Sequence, residues 1–252
     1  MKSYMYDSMY RQGLTHWWFR GKQEIVLGLL DSFYDPSQGS LIDFGCGCGA
    51  MLQALSRYGT VTGADFSEQA LEYCRRHFNG ELRRLDLSQP SDFSEQYQAG
   101  VALDILEHIQ ADQTAAENIY RALAPGGKCV ITVPANQWMW SAHDENCMHV
   151  RRYNRETLQS LLLNAGFELE YISYYNFFLF LPIAAVRILA KLLHLDQDSS
   201  METATHDGWM NRLLYRIFRA ERTWIQARRR FPFGVSLIAL VSKPEWQQTR
   251  KG

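Results

Sequence analysis

The sequence predicts an α/β fold, a doubly wound seven-stranded sheet that is mostly parallel and carries an α-helical insertion near the C-terminus. Short apolar runs alternate with helical patterns from residue 41 to residue 133, an order typical of parallel sheets with crossover helices. The first of these runs continues directly into a glycine-rich turn at residues 45–49. We expect a single domain over residues 1–252, with an N-terminal helical cap over 1–39 and the insertion over 175–232.

Each predicted element has a local reason. Strands are short runs of apolar and β-branched residues, and helices are the longer segments between them whose apolar residues recur every three or four positions. The predicted strands are Leu41–Phe44, Val61–Asp65, Leu82–Leu85, Gly100–Ile105, Cys129–Val133, Phe167–Ile172 and Ser236–Ser242. The predicted helices are Ala50–Tyr58, Glu68–Phe78, Asp112–Leu123 and Glu156–Asn164, the last of which is stopped by Gly166.

The glycines that follow the first strand indicate a ligand that comes close to the backbone. Glycine accepts the angles of a tight strand-to-helix turn, and it leaves no side chain to hold a ligand away. Asp65 ends the second strand 20 positions after Gly45, where a carboxylate can accept hydrogen bonds from ribose hydroxyls. The turn also satisfies the dinucleotide fingerprint with Ala50 in its last place, which leaves a nicotinamide cofactor open. Asp43 and Asp86 favour a cationic ligand, because Asp43 would repel a pyrophosphate.

Five motifs in this order resemble those of the class I S-adenosylmethionine-dependent methyltransferases. They are the glycine loop Asp43–Gly49, the strand end Asp65–Ser67, the segment Leu85–Leu87, the fourth-strand motif Leu103–Ile109 and the turn Leu123–Lys128. The resemblance implies S-adenosyl-L-methionine as cofactor and a last strand that runs antiparallel between its neighbours. It implies cofactor contacts from Asp43, Phe44, Gly45, Cys46, Gly47, Gly49, Asp65, Phe66, Asp86, Leu87 and Asp104. Among these, Asp43 faces the amino group, Asp65 the ribose, and Asp86 with Leu87 the adenine.

The segment before the first strand contains the adjacent tryptophans Trp17 and Trp18. Adjacent residues do not share one face of a helix, so we expect one of them to pack on the domain and the other to line a substrate cleft. Similar methyltransferases carry an aromatic N-terminal helix over the cofactor, which implies that Arg20 pairs with the methionine carboxylate. The alternative is a hydrophobic staple with a solvated arginine.

The loop after the fifth strand, residues 134–153, is expected to lie over the reacting methyl group. Ligands of open α/β sheets sit at the carboxyl ends of the strands, and this loop leaves one of those ends. Its run Arg151, Arg152, Tyr153 is expected to contact the acceptor. A His-rich stretch followed by Arg-Arg-Tyr at this place also resembles one subgroup of methyltransferases.

Histidine suits a general base near neutral pH, and three histidines are candidates. We rank His149 first, because the two arginines next to it would keep it neutral and could hold an anionic acceptor. His108 follows the fourth strand, and His143 lies in the same loop as His149. The spacing of His143, Asp144 and His149 is nonspecific for a metal ion, so no metal is predicted.

The insertion contains residues 177–193, which are apolar nearly all round. Pro182, Arg187 and Lys191 interrupt the segment, which argues against a transmembrane span. An arginine-rich partner helix is predicted at Trp209–Arg229. Four covers for the apolar segment stay open: the partner helix, a second subunit, a long-chain substrate and a bilayer surface. Region 177–230 is therefore the expected place of a peripheral membrane contact or a homodimer.

Composition sets further limits. The net charge of -1 gives no global nucleic-acid footprint, and the five cysteines, without paired metal spacing, indicate reduced thiols of the cytoplasm. We expect a cytoplasmic protein, with possible attachment to the membrane surface, that methylates an oxygen or nitrogen of a small or lipophilic metabolite. The alternative is a cofactor-binding subunit or regulator without catalysis, and a nicotinamide oxidoreductase ranks below both.

Overall fold

The computed structural model describes residues 3–35, 37, 39–93, 96–193 and 208–245. The strands are β1 Leu41–Phe44, β2 Val61–Asp65, β3 Glu81–Arg84, β4 Tyr97–Leu103, β5 Leu123–Pro134, β6 Glu168–Tyr175 and β7 Ser236–Ser242. They form one sheet in the order β3-β2-β1-β4-β5-β7-β6. β7 runs antiparallel between β5 and β6, and the other neighbours pair in parallel. The predicted seven-stranded, mostly parallel sheet is confirmed.

Helices connect these strands and cover both faces of the sheet. They are α1 Ser3–Thr15, α2 Trp17–Leu30, α3 Ala50–Leu55, α4 Glu68–Cys74, α5 Asp112–Ala122, α6 Ala142–Asn146, α7 Arg155–Asn164, α8 Phe180–Leu192, α9 Trp209–Arg219 and α10 Arg222–Gln226. Side-chain caps fix several of their starts, among them those of α4 and α7. The side chain of Ser67 accepts a hydrogen bond from the N–H of Ala70 at 3.3 Å, and that of Asn154 accepts one from Thr157 at 2.7 Å.

Most differences from the predicted elements lie at their ends. β1, β2 and β7 begin and end as predicted. α3 stops at Leu55 and continues as a 3-10 turn, Ser56–Tyr58, which leads into Gly59 with a φ of 102°. α4 stops at Cys74, four residues before the predicted end at Phe78. β6 continues to Tyr175, because it pairs with β7 along its whole length.

The core lies on both faces of the sheet, because successive strand residues point to opposite sides. In β1, Ile42 and Phe44 join a cluster that includes α5 and α7, whereas Leu41 joins a cluster that includes α2, α3 and α9. Every residue of β1 and β7 is buried. Such burial on both faces is expected of a sheet with helices on each side.

The predicted partner helix Trp209–Arg229 is wrong in two respects. It is divided into α9 and α10, and both helices pack mainly on α2 rather than on α8. Gly21 of α2 permits this packing, since a Cβ there would lie 2.3 Å from Cδ1 of Phe218. Glu221 stands at the division, fully buried, and its carboxylate accepts hydrogen bonds from the backbone N–H groups of residues 176, 177 and 178.

α8 keeps a broad apolar face exposed. Leu181, Val186 and Leu192 are 69%, 60% and 70% exposed. The two cations of the helix are turned to the protein, where Arg187 and Lys191 donate hydrogen bonds of 2.8 Å to the carbonyls of Met139 and Trp138 respectively. None of the helices in the described ranges has both the length and the apolar content that a membrane span requires.

Candidate active site

The glycine turn leaves its backbone open to a ligand. The N–H groups of Gly45 and Cys46 donate to the carbonyl of Ala64, and Gly45, Gly47 and Gly49 have φ values of 74°, 53° and 83°. A Cβ placed on Gly47 would meet no atom within 4 Å, so a ligand has room beside it. The Phe44 and Cys46 side chains are buried in the core. For these two predicted contacts, only the main chain can face a cofactor.

Asp65 fastens the turn to the end of β2. Its carboxylate accepts hydrogen bonds from the backbone N–H groups of Gly47 and Ser67, both at 2.9 Å. A carboxylate has about four acceptor positions, so Asp65 keeps capacity for ribose hydroxyls. The next residue, Phe66, is largely exposed. This exposure is compatible with the predicted contact of Phe66 with the cofactor.

Asp43 is a buried acid whose charge lacks a full set of partners. Its side chain is 2% exposed, and one oxygen, Oδ2, has no hydrogen-bond partner among the described residues. Burial, and secondly the charge of Asp65, raise the pKa of Asp43 to about 8, although Lys22 opposes the shift. A buried carboxylate in this state favours a cationic group, and the α-ammonium of S-adenosylmethionine is such a group.

Lys22 is the residue of this pocket that the sequence analysis missed. It reaches from α2 to the end of β4, where its Nζ lies 2.6 Å from Oδ2 of Asp104. The hydroxyl of Thr132 donates to the other oxygen of Asp104 at 2.8 Å. Burial opposes ionisation of Asp104, but Lys22 and Thr132 outweigh it and lower its pKa. The predicted cation, Arg20, instead stacks on the ring of Tyr215 at 4.2 Å.

The predicted adenine side is more open. Asp86 is exposed and accepts hydrogen bonds from the backbone N–H and the hydroxyl of Ser88 at 2.9 and 2.6 Å. The Leu87 side chain is buried in the core, so its contact with an adenine is limited to the main chain. Asp86 remains the side chain at this edge that can accept a hydrogen bond from the cofactor.

The loop after β5 is organised around Asp144. This residue is fully buried and accepts hydrogen bonds from Nδ1 of His149 at 2.8 Å and from Nε and Nη2 of Arg152 at 2.7 and 2.9 Å. The N–H of Ser141 adds a further bond at 2.8 Å. Burial opposes the charge of Asp144, but these partners outweigh it and lower its pKa. Asp144 therefore stays ionised and holds the ring of His149.

The two arginines of the loop, which were predicted to contact the acceptor, are each paired with a carboxylate of the protein. Arg152 is buried against Asp144, and Arg151 pairs with Asp112 and donates to the carbonyl of Gln110. Tyr153 is also buried, and its hydroxyl donates to Asp112 at 2.9 Å. Their carboxylate partners compete with an anionic acceptor, and these three residues hold the loop on the sheet.

The three predicted histidines come together at the carboxyl ends of β4 and β5. The ring centroids of His108 and His149 are 4.7 Å apart, and those of His143 and His149 are 6.2 Å apart. Burial, and then the charge of His149, lower the pKa of His108. The buried Glu107 lies in the same cluster. Glu107 could have been predicted from the sequence, because it is an acid that directly precedes His108 at the end of a strand.

Trp17 and Trp18 both pack in the aromatic contact between α2 and α9. Their ring centroids lie 5.9 and 5.2 Å from that of Phe218, and Trp18 also stacks on Tyr175. We expected one ring on the domain and the other in a cleft. The structure does not separate them in this way, because both rings pack on Phe218. Successive helix positions point in different directions, but the large Phe218 ring reaches both tryptophans.

Sheet, glycine turn and acidic strand ends together define a class I S-adenosylmethionine-dependent methyltransferase. The chain belongs to the methyltransferase-domain family, whose model, described as "Methyltransferase domain", matches residues 14–172. S-adenosyl-L-methionine is the cofactor. The nicotinamide alternative that the glycine turn alone left open is therefore set aside.

Individual relatives are distant. A ubiquinone biosynthesis O-methyltransferase of Idiomarina loihiensis is 31% identical over 116 residues, which are 41% of this chain and 46% of that protein. The chain thus matches about half the length of that curated relative. A Haloferax volcanii protein solved with the Trm112 methyltransferase activator has a TM-score of 0.59 at 15% identity over 90% of this chain and 91% of the other. An S-adenosylmethionine-dependent methyltransferase of Mesorhizobium loti has a TM-score of 0.56 at 15% identity, covering 87% and 97%.

Proposed function

We propose that the protein methylates a hydroxyl oxygen of a lipophilic metabolite, with His149 acting on the acceptor. The observation that carries the proposal is the pair of His149 and the buried Asp144 at the end of the sheet where the cofactor turn lies. The relative named a ubiquinone biosynthesis O-methyltransferase supports oxygen over nitrogen as the acceptor atom. An apolar surface beside the same loop supports a lipophilic molecule.

The methyl donor and the protein have separate parts in the proposed reaction. S-adenosylmethionine supplies an electrophilic methyl group, and the protein must bring the acceptor oxygen into line and remove its proton. The Nδ1 atom of His149 faces the ionised Asp144, so in the neutral ring that nitrogen carries the hydrogen and Nε2 is the acceptor. His149 is thereby ready to take a proton from a hydroxyl group.

A substitution series tests the role of His149. His149→Ala should lower turnover roughly 10²-fold while cofactor affinity stays nearly unchanged, because the general base acts in the chemical step. The assay incubates the protein with a labelled methyl donor and metabolite extracts, and then uses the acceptor so identified. His77→Ala, in which the lost histidine stacks on Tyr10 away from the site, is the matched control. A comparable loss in His108→Ala with none in His149→Ala would move the role to His108.

We also propose that α8 brings the active site to an anionic bilayer surface. The carbonyls of Trp138 and Met139, which hold Lys191 and Arg187 of α8, belong to the loop after β5. The exposed apolar face of α8 is therefore attached directly to the acceptor side of the site. Interfacial helices bury such a face among lipid headgroups, and a lipophilic acceptor dissolved in the bilayer would lie next to this loop.

Aromatic and basic residues extend this surface. Phe177, at the start of the insertion, stacks on Phe231 at 4.8 Å, and Trp224 stacks on the same ring at 5.8 Å. The guanidinium of Arg229 lies 4.8 Å from the centre of the Trp224 ring. The Trp224 ring is 42% exposed, and exposed aromatic rings beside arginines are typical of surfaces that meet anionic headgroups.

Vesicle flotation tests this second proposal. The protein should float with anionic vesicles at low salt, and the double variant Leu181→Asp/Leu192→Asp should not, because it places charge on the apolar face. Leu163→Asp is the control, since Leu163 is an exposed leucine of α7. Absence of flotation at low salt contradicts the proposal. If the double variant instead abolishes a dimer seen by analytical ultracentrifugation, the face is a subunit contact.

A further inference from the structure

One carboxylate and two imidazoles converge beside the loop after β5. Within the described part of the chain, Glu107, His108 and His149 each offer a ligand atom, and these atoms lie within 4.8 Å of one another. The N–H of Val150 donates to the carbonyl of Glu107 at 2.8 Å, which holds the loop against the segment after β4. From this geometry we propose that Glu107, His108 and His149 bind a divalent transition-metal ion.

The buried carboxylate of Glu107 has no hydrogen-bond partner among the described residues. The residue is 0% exposed, and the lack of a partner concerns both carboxylate oxygens. Burial, and then the charge of Asp104, raise the pKa of Glu107 well above its usual range. A buried carboxylate is costly unless it is protonated or paired with a cation. A metal ion between Glu107 and the histidines supplies that cation.

Asp144 orients the ring of one of the two histidines. His149 faces Asp144 through Nδ1 at 2.8 Å, an arrangement in which a carboxylate orients the ring and Nε2 is left for the ion.

The ligand set limits the choice of ion. Two imidazoles and one carboxylate suit zinc, iron, cobalt, nickel or manganese better than calcium. With bonds of about 2.0–2.2 Å, the ligand atoms of a tetrahedral ion lie about 3.4 Å apart, so atoms within 4.8 Å of one another need to approach by at most about 1.4 Å. Three protein ligands leave a coordination position open. An acceptor hydroxyl bound there would lose its proton more easily, and His149, with its Nε2 on the ion, would position the acceptor instead of acting as the free base of the metal-free site.

The test is a titration of chelator-treated full-length protein with Co²⁺, followed by its visible absorption and by competition with Zn²⁺. The wild type should bind one ion per chain and melt at a higher temperature in its presence. Glu107→Gln and His108→Gln should weaken binding at least tenfold, because each removes one ligand. His77→Gln is the matched control and should bind as the wild type does.

Two results would overturn the proposal. One is the lack of any saturable Co²⁺ absorption in the wild type; the other is equal binding by the wild type and both ligand variants, which would place the ion elsewhere. Glu107 is buried, so Glu107→Gln could fold poorly, but His108 is exposed and His108→Gln keeps the test decisive. The titration contains neither cofactor nor acceptor. Its outcome is therefore independent of whether methyl transfer to a lipophilic hydroxyl is found.

Discussion

Acids and one lysine share the space at the carboxyl ends of β1, β2 and β4. Asp43 and Asp104 are both in buried surroundings, and Lys22 acts on the pKa of each of them. Lys22 forms its close contact with Asp104, at 2.6 Å, so Asp43 is left to a cationic ligand. The charge pattern of the pocket thus depends on a lysine that arrives from the N-terminal cap.

We predict that the affinity for the cofactor depends on Lys22 and not on Arg20. Lys22→Ala removes the cation that holds Asp104 at the edge of the cofactor site. It should weaken binding of S-adenosylmethionine about tenfold or more, since a charge-assisted hydrogen bond contributes about 1.5–3 kcal/mol. Arg20→Ala should change the affinity by less than about threefold, because Arg20 stacks on Tyr215. Calorimetry on both variants, after circular dichroism has shown that they fold, measures the difference. The reverse order of effects would restore Arg20 as the partner of the methionine carboxylate.

The loop after β5 is held by two ion pairs, of which one is buried and the other is partly exposed to solvent. Asp144 and Arg152 form a buried pair, with side chains 0% and 2% exposed, whereas Arg151 and Asp112 are 23% and 24% exposed. The buried pair also includes the bond to His149. Since water screens the second pair but not the first, the two pairs should contribute very differently to the stability of the loop.

We therefore predict that Asp144→Asn destabilises the protein by about 3–5 kcal/mol, because it leaves the charge of Arg152 buried without its counterion. Asp112→Asn, the more exposed counterpart, should cost about 1 kcal/mol. Urea unfolding followed by tryptophan fluorescence gives both free energies of unfolding. Equal effects of the two substitutions would show that burial does not distinguish the pairs.

For the molecule as a whole, buried acids with opposite pKa shifts determine how stability varies with pH. Burial raises the pKa of Glu221 to about 7, against its hydrogen bonds from the backbone, and that of Asp43 to about 8. Asp104 and Asp144 are shifted downward. The first pair favours the folded state when protonated, and the second pair favours it when ionised.

The sign of each effect gives a prediction for the cofactor-free protein. Stability from Glu221 and Asp43 is fully present below their unfolded pKa values and is lost as the pH rises through about 7 and 8. Stability from Asp104 and Asp144 is lost only as the pH falls through their lowered pKa values. The free energy of unfolding should therefore peak near about pH 4 and fall until about pH 8.

Denaturant unfolding across this pH range checks the prediction. Glu221→Gln, which keeps the shape of the side chain, should flatten the fall between about pH 5 and 7. A free energy of unfolding that rises from pH 6 to pH 8 would contradict the assignment of Glu221 and Asp43.

The position of the acids at the carboxyl edge of the sheet could be predicted because it depends on local order. Strand ends and the glycines of a tight turn are properties of short segments, and parallel strands bring their carboxyl ends to one edge of the sheet. Asp43, Asp65 and Asp104 accordingly lie at that edge. Lys22 was missed because it enters the pocket from a helix that is far from these strands in sequence.

The class of fold, the bounds of several strands and the kind of cofactor follow from the amino-acid sequence alone. The partners of the charged residues depend on the three-dimensional arrangement. Arg152 looks like an acceptor ligand in the sequence, but the buried Asp144 binds it, and α9 packs on α2 rather than on α8. The physical reason is that hydrophobic periodicity and turn geometry are local, whereas ion pairs and helix contacts depend on which segments the fold brings together.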